Sequence, residues 1–394
     1  MARAPNGPKA DPPLARIALI LRPDRGGAFT HVAQLSRALT DAGHDVFVCG
    51  PFDPGRAEIA GTVVPLDIVR PVSPRADLAT ATRFARLVRR LKPDLIHAHG
   101  SKGGVIGRLA KVASPRTPVV FTPHLYAFDN YFAAPAQRRL YRLVERALAP
   151  LATRVIAVSE SERLHAAEIG PGRRTRVVHN GIDPVRTDAV HPVVAELSAG
   201  GPVVCTVAEL RASKGVITLV EAMPLVRERH PGVSLAIAGD GDERAAIEAR
   251  TAELGLASAV RLLGTTPGPD SVLAGATVFA NPAYAEAFPY TVIEAMSASL
   301  PIVATDVGGT SEAVSEDGSA GLLVPPGDAA ALAQAISALL ADTELSRRLG
   351  AAAHDRFEQE FTTAHMIAGI LSVYAELGIT TPGHETGVNV PQSD

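Results

Sequence analysis

The stretch TVFANPAYAEAFPYTVIEAMSASLPIVATDVGG, residues 277–309, reads as strand, loop, helix, strand and glycine turn. Its two apolar runs, TVFANP (277–282) and PIVATD (301–306), are continuous rather than alternating. Strands of that kind are buried on both faces, as in a parallel sheet covered by helices. Two carboxylates interrupt the segment, Glu286 in the loop and Glu294 more than one turn into the helix. A lone buried carboxylate is costly, so each needs a partner or a ligand. Pro289 marks the first helical turn, a favoured place for proline. The backbone N–H groups around residues 288–291 then point into the cleft as an anion-binding end.

The same strand-then-helix pattern extends in both directions. Upstream runs include RIALIL (16–21), HDVFVCG (44–50), DLIHAHG (94–100), PVVFTPH (118–124), RVIAVS (154–159) and RVVHN (176–180). A second set comprises PVVCTVAEL (202–210), SLAIAG (234–239), VRLLG (260–264) and GLLVP (321–325) around the opening segment. Two successive sets of β-α units predict an α/β chain with two doubly wound, Rossmann-like domains facing a central cleft. The proline- and turn-rich stretch 180–201 holds the boundary, giving an N-terminal domain at 15–190 and a C-terminal domain at 191–360. After VPPGD the chain turns helical, with a last helix at 361–379 expected to pack back on the N-terminal domain. Residues 1–14 and 380–394 are expected to be disordered.

The 394 residues carry 38 Lys and Arg against 41 Asp and Glu, so no net basic charge argues for nucleic acid. Cys49 and Cys205 lie in apolar runs, in no metal spacing, and read as buried free thiols of a reducing cytosol. No signal peptide is visible, and no run approaches the ~20 apolar residues of a membrane span.

In doubly wound folds ligands bind at the carboxyl ends of strands, so the loops there carry the candidates. Gly26 and Gly27 follow the first strand and admit close approach to a helix N-terminus. His124 stands just past a strand, with Tyr126, Phe128, Tyr131 and Phe132 after it. His97 and His99 read as packing residues. Arg211 and Lys214, before a helix opened by Gly215, form a site suited to phosphates. In AGDGDE, Asp240 and Asp242 either hold a metal–nucleotide complex, or Asp242 caps the helix starting at Glu243 while Gly239 and Gly241 make room for a ligand.

These segments together resemble the retaining GT-B glycosyltransferases of family 4. EAFPYTVIEAM matches that family's E-x7-E signature, and GG at 26–27, FTPHLYAF, RVIAVSESER, VVHNGID, SKGV, AGDGDE and TDVGGTSEAV follow in the family's order. The resemblance implies transfer of a sugar from a nucleotide sugar, a UDP- or GDP-sugar, with retention and with no metal or other cofactor. It implies that Glu294 binds ribose, Lys214 the diphosphate, and Glu286 with the following amides the donor sugar. Gly26, Gly27, Arg211, Gly241, Leu263, Phe288, Pro289, Tyr290 and Thr291 complete the expected donor site. His124 joins Glu286 and Lys214 at the reaction centre, with Tyr126 and Phe128 toward the acceptor. One departure is visible: where the family usually has arginine, five positions before the lysine, this chain has Glu209. Arg211 is expected to supply the missing cation.

The expected acceptor is a glycan or lipid-linked hydroxyl in cell-surface polysaccharide or glycolipid assembly. Residues 136–152 read as a basic amphipathic helix, with Leu140, Leu143, Val144, Ala147 and Leu148 on one side and Arg138, Arg139, Arg142 and Arg146 on the other. Such a helix can rest on anionic lipid, giving a cytoplasmic protein with a peripheral contact through 137–150 at the inner membrane face. The alternative is a surface helix packed on its domain. Competing functions are transfer to a soluble small molecule, a silent GT-B scaffold, and a nucleotide-sugar epimerase.

Overall fold

The computed structural model describes residues 14–69, 73–129, 131–314 and 318–382. Among them are seven strands of a first sheet: β1 (Arg16–Ile20), β2 (Asp45–Gly50), β3 (Thr62–Pro65), β4 (Leu95–His99), β5 (Val119–Thr122), β6 (Arg154–Ala157) and β7 (Thr175–Val177). A second sheet holds β8 (Val203–Val207), β9 (Ser234–Ala238), β10 (Val260–Gly264), β11 (Val278–Asn281), β12 (Ile302–Thr305) and β13 (Leu322–Val324). The orders are β3-β2-β1-β4-β5-β6-β7 and β10-β9-β8-β11-β12-β13. Neighbours pair in parallel: Ile17 lies beside Val46 and Leu95, and Phe279 beside Ile302 and Cys205. This is the doubly wound α/β architecture expected from the continuous apolar runs. Cys49 and Cys205 are buried free thiols, and burial pushes the Cys49 thiol up to about 12.

The chain divides into two compact units. One comprises the described chain up to Thr122, Pro150–Arg154 and the described residues from Ile367 onward; the other comprises Pro123–Ala149 and Val155–Met366. In the second, Cys205, Ala236, Phe279, Val292 and Ile302 share a core cluster on one side of the sheet. Val204, Leu235, Ile237 and Val278 contribute to another cluster. Alternate residues of β8, β9 and β11 thus enter different clusters, as a pleated sheet covered on both faces requires.

Four details depart from the sequence reading. β3 was not foreseen: its residues are partly or fully exposed and it ends in Pro65, so it lacks the apolar signature of a central strand. The boundary stretch contains a helix, Pro192–Gly200, started by proline and anchored by buried Val194 and Leu197. Asp242 is not the cap of the next helix; that helix is Arg244–Glu253, its cap position is Glu243, and no side chain caps it. The expected disordered tail does not begin at 380, because Thr381 is buried and its hydroxyl lies 2.9 Å from His44 Nε2. The remainder of that tail and residues 1–13 lie outside the described residues.

Candidate active site

The strand order of the second sheet reverses between β8 and β11, and a crevice opens where the loops after such strands diverge. Those two loops carry Lys214 and Glu286. They meet: Lys214 Nζ donates to Glu286 Oε1 at 2.6 Å, with both side chains mostly shielded from solvent. The backbone leaves little slack here. Gly215, at φ 63°, sits where a Cβ would lie 2.0 Å from the Pro282 carbonyl oxygen. Gly308, at φ 48°, would place a Cβ 2.0 Å from the Glu286 carbonyl oxygen. Only glycine satisfies both the left-handed backbone and the close approach. Tyr284 N–H donates to the Ser213 carbonyl at 2.8 Å, tying the loops together.

Phe288 is buried and stacks on His179, ring centroids 4.7 Å apart, while Asn180 Nδ2 donates to its carbonyl at 2.8 Å. These contacts fix the entry to the helix Tyr290–Ser297. Pro289 occupies the cap position, and no side chain caps the helix. The first-turn amides of Tyr290 and Thr291 have no acceptor within their own helix and stand at its positive end. Glu294, partly buried in the second turn, has its pKa raised to about 7, first by burial and then by the charge of Asp270.

The other expected donor contacts fall as follows. Leu263 is partly buried in β10. Gly241 donates its N–H to Asp240 Oδ1 at 2.8 Å, so Asp240 serves the local turn. Arg211 lies 3.5 Å from Glu209, both about half exposed, so the anomalous carboxylate is matched by the nearby cation. In the other unit, Gly26 (φ 79°) caps the helix Gly27–Asp41 and its carbonyl accepts from Phe29 and Thr30.

His124 and Leu125 both adopt left-handed backbone, φ 53° and 85°, which costs energy for residues with a Cβ. A buried carboxylate secures this turn. Glu162 Oε1 accepts from Leu125 N–H at 2.8 Å and its Oε2 accepts from Val158 N–H at 2.8 Å. Burial raises Glu162 to about 7 against the pull of those two amides. Tyr126 is only 2% exposed and stacks behind Phe128 at 4.8 Å. Phe128 reaches a cavity of 460 Å³ that Tyr284 and Glu286 also line.

The opposite wall of that cavity was missed. It consists of Arg138, Arg139 and Arg142 on the helix Pro135–Leu148. Their spacing is visible in the sequence, which offers a helix resting on anionic lipid or a surface helix packed on its domain but no cavity. Leu140 is 56% and Leu143 64% exposed, and Arg138, Arg139 and Arg142 line the cavity. Asp129 and His165, paired at 2.9 Å, also line it, and the Asp129 hydrogen bond raises the His165 pKa.

Two family models match the chain: Glycosyltransferase Family 4 over residues 25–186 and Glycosyl transferases group 1 over residues 191–356. The alpha-maltose-1-phosphate synthase of Mycolicibacterium smegmatis is 31% identical over 310 residues, covering 72% of this chain and 79% of that protein. The phosphatidyl-myo-inositol mannosyltransferase of the same organism is 29% identical, covering 89% and 90%. Among solved structures, sucrose-phosphate synthase from Thermosynechococcus elongatus superimposes with a TM-score of 0.79 at 27% identity, over 92% of this chain and 99% of that one. With two parallel sheets and the E-x7-E segment in place, this chain belongs to the family 4 glycosyltransferases of the GT-B fold.

Proposed function

We propose that the chain is a retaining glycosyltransferase that moves a sugar from a UDP- or GDP-sugar to an acceptor hydroxyl in cell-surface polysaccharide or glycolipid assembly. The observation that carries the reading is the Lys214–Glu286 pair beside an uncapped helix end, with Glu294 one turn further on. In this assignment Glu294 accepts hydrogen bonds from the ribose hydroxyls, and Lys214 with the Tyr290 and Thr291 amides holds the diphosphate. Glu286 faces the donor sugar. Phe128 and the His124 turn lie toward the acceptor.

Transfer then proceeds on one face of the sugar. The bond between the anomeric carbon and the diphosphate oxygen breaks, and its electron pair leaves with the diphosphate. The acceptor oxygen bonds to the same carbon from the same side, and its proton passes to the departing phosphate oxygen. Lys214 and the helix amides stabilise the negative charge that develops on the leaving group. Glu286 opposes the positive charge on the sugar ring. Arg211, already balanced by Glu209, adds a second cation to the diphosphate.

The phosphatidyl-myo-inositol mannosyltransferase among the relatives supports a lipid-linked acceptor. So does the exposed apolar side of Pro135–Leu148, whose Leu140 and Leu143 would meet the membrane surface in this reading. Among the described residues no helix is long and apolar enough to cross a membrane.

Incubation with a panel of nucleotide sugars without acceptor tests the reading. Release of nucleotide with a first-formed sugar of the donor's anomeric configuration, followed by NMR, is expected. The opposite configuration rules out retention. A changed sugar still attached to nucleotide indicates an epimerase, and no turnover with any donor leaves the scaffold.

A further inference from the structure

The cavity beside Glu286 has an imbalance of charge that the transfer reaction, as proposed above, does not use. Three carboxylates line it, and each is already engaged. Asp129 faces His165 at 2.9 Å, Glu162 accepts two backbone amides, and Glu286 accepts from Lys214. The three guanidinium groups opposite are far less committed. Arg142 lies 5.1 Å over the Phe128 ring and shares Glu168 at 3.4 Å. Arg138 donates to the Tyr131 carbonyl, and neither Arg138 nor Arg139 has a carboxylate partner among the described residues. Arg138 and Arg139 therefore bring positive charge to the cavity wall with no carboxylate paired to it among the described residues.

We infer that Arg138, Arg139 and Arg142 recognise a phosphate group carried by the acceptor, close to the hydroxyl that receives the sugar. The inference rests on the transferase reading, which sets the reacting centre at the Glu286 side of this cavity. Arginine suits the task because its planar fork donates two parallel hydrogen bonds to one phosphate. Three such forks on one face of the helix can serve several phosphate oxygens at once. The volume, 460 Å³, falls in the range of small-ligand sites and fits a single sugar or polyol ring with its phosphate. The donor's own diphosphate has a separate place, between Lys214 and the helix Tyr290–Ser297. The phosphate could belong to a free sugar or polyol phosphate or to a lipid headgroup; the guanidinium chemistry is the same.

Calorimetric titration of inorganic phosphate into the full chain provides the test. The protein is first saturated with whichever of UDP and GDP raises its melting temperature more. One phosphate per chain is expected to bind, and at least about tenfold more weakly in Arg139→Glu. Arg139 is exposed, so this variant keeps its fold, which its melting temperature verifies. Phosphate binding that disappears on nucleotide loading places the anion in the donor site and overturns the inference. Equal affinity in wild type and Arg139→Glu overturns it as well. Displacement of the phosphate by myo-inositol 1-phosphate identifies a soluble acceptor, and displacement by phosphatidylcholine vesicles containing phosphatidylinositol identifies a lipid one. Displacement by neither rejects an acceptor phosphate. None of these readouts requires turnover, so an absence of nucleotide-sugar hydrolysis would remove the transferase reading separately.

Discussion

Glu286 and Glu294 stand eight positions apart in one segment, yet their surroundings are different. Glu286 is held by Lys214, whereas Glu294 is partly buried, has no cation partner among the described residues and has its pKa raised to about 7. Glu286→Ala is therefore expected to lower kcat about 10²-fold with a small change in nucleotide affinity, as steady-state kinetics will show. For Glu294 the folded pKa lies above the ordinary value of 4.5, so its contribution to stability is fully present below that value and lost as pH rises through about 7. Glu294→Gln removes this dependence. Relative to wild type it should gain on the order of 3 kcal/mol in unfolding free energy between about pH 4 and about pH 8. Ribose hydroxyls donate better to a carboxylate than to an acid. Nucleotide affinity should accordingly tighten with pH through about 7 in wild type and stay flat in Glu294→Gln. Both glutamates were legible from the E-x7-E spacing. Glu162 was not, because its work is to hold the backbone of a turn 37 residues away in the chain.

At the scale of elements, periodicity located Pro135–Leu148 with its start within one residue and its end within four, but did not show which side faces outward. An amphipathic pattern says that a helix has two faces; it does not say that the apolar one is buried. Here the cavity takes the arginines, and Leu140, Leu143 and Val144 are left exposed. With these side chains exposed, the membrane contact proposed above would rest on their insertion as well as on attraction between charges. Flotation with anionic vesicles should therefore retain the protein at high salt, and Leu140→Ser with Leu143→Ser should abolish retention. Because both leucines are exposed, the double variant should unfold within about 0.5 kcal/mol of wild type. Retention that salt removes and the serines do not would reject the apolar contact. β3 and Pro192–Gly200 escaped the sequence reading for the complementary reason: one is an exposed edge, and the other is short and sits among turn formers.

Across the whole molecule, the strand pattern announced two parallel sheets but could not show which distant segments share a unit. His97 in β4 lies between Thr122, 2.8 Å from Nε2, and Tyr374 of the helix Thr363–Ala375, 2.8 Å from Nδ1. Burial holds this histidine well below its usual pKa, so the neutral ring accepts one of these bonds and donates the other. Tyr374 stands 277 positions from His97, a separation that no local pattern reports. Removing the hydroxyl in Tyr374→Phe leaves a buried ring nitrogen unpaired, at a cost of about 1–3 kcal/mol in urea unfolding. Truncation before Ile367 should be far more damaging, since it also strips buried Ile370, Leu371 and Val373 from that unit.

The two sides of the cavity beside Glu286 differ in what mutation can do to them. Around Lys214 and Glu286, carbonyl oxygens occupy the space that any side chain at Gly215 or Gly308 would need. Those two positions are closed to any residue but glycine. Across the cavity, Arg139 projects from an exposed helix where replacement costs little stability. After gene duplication, copies of this chain are expected to diverge first along Pro135–Leu148, while the backbone around Gly215 and Gly308 stays fixed.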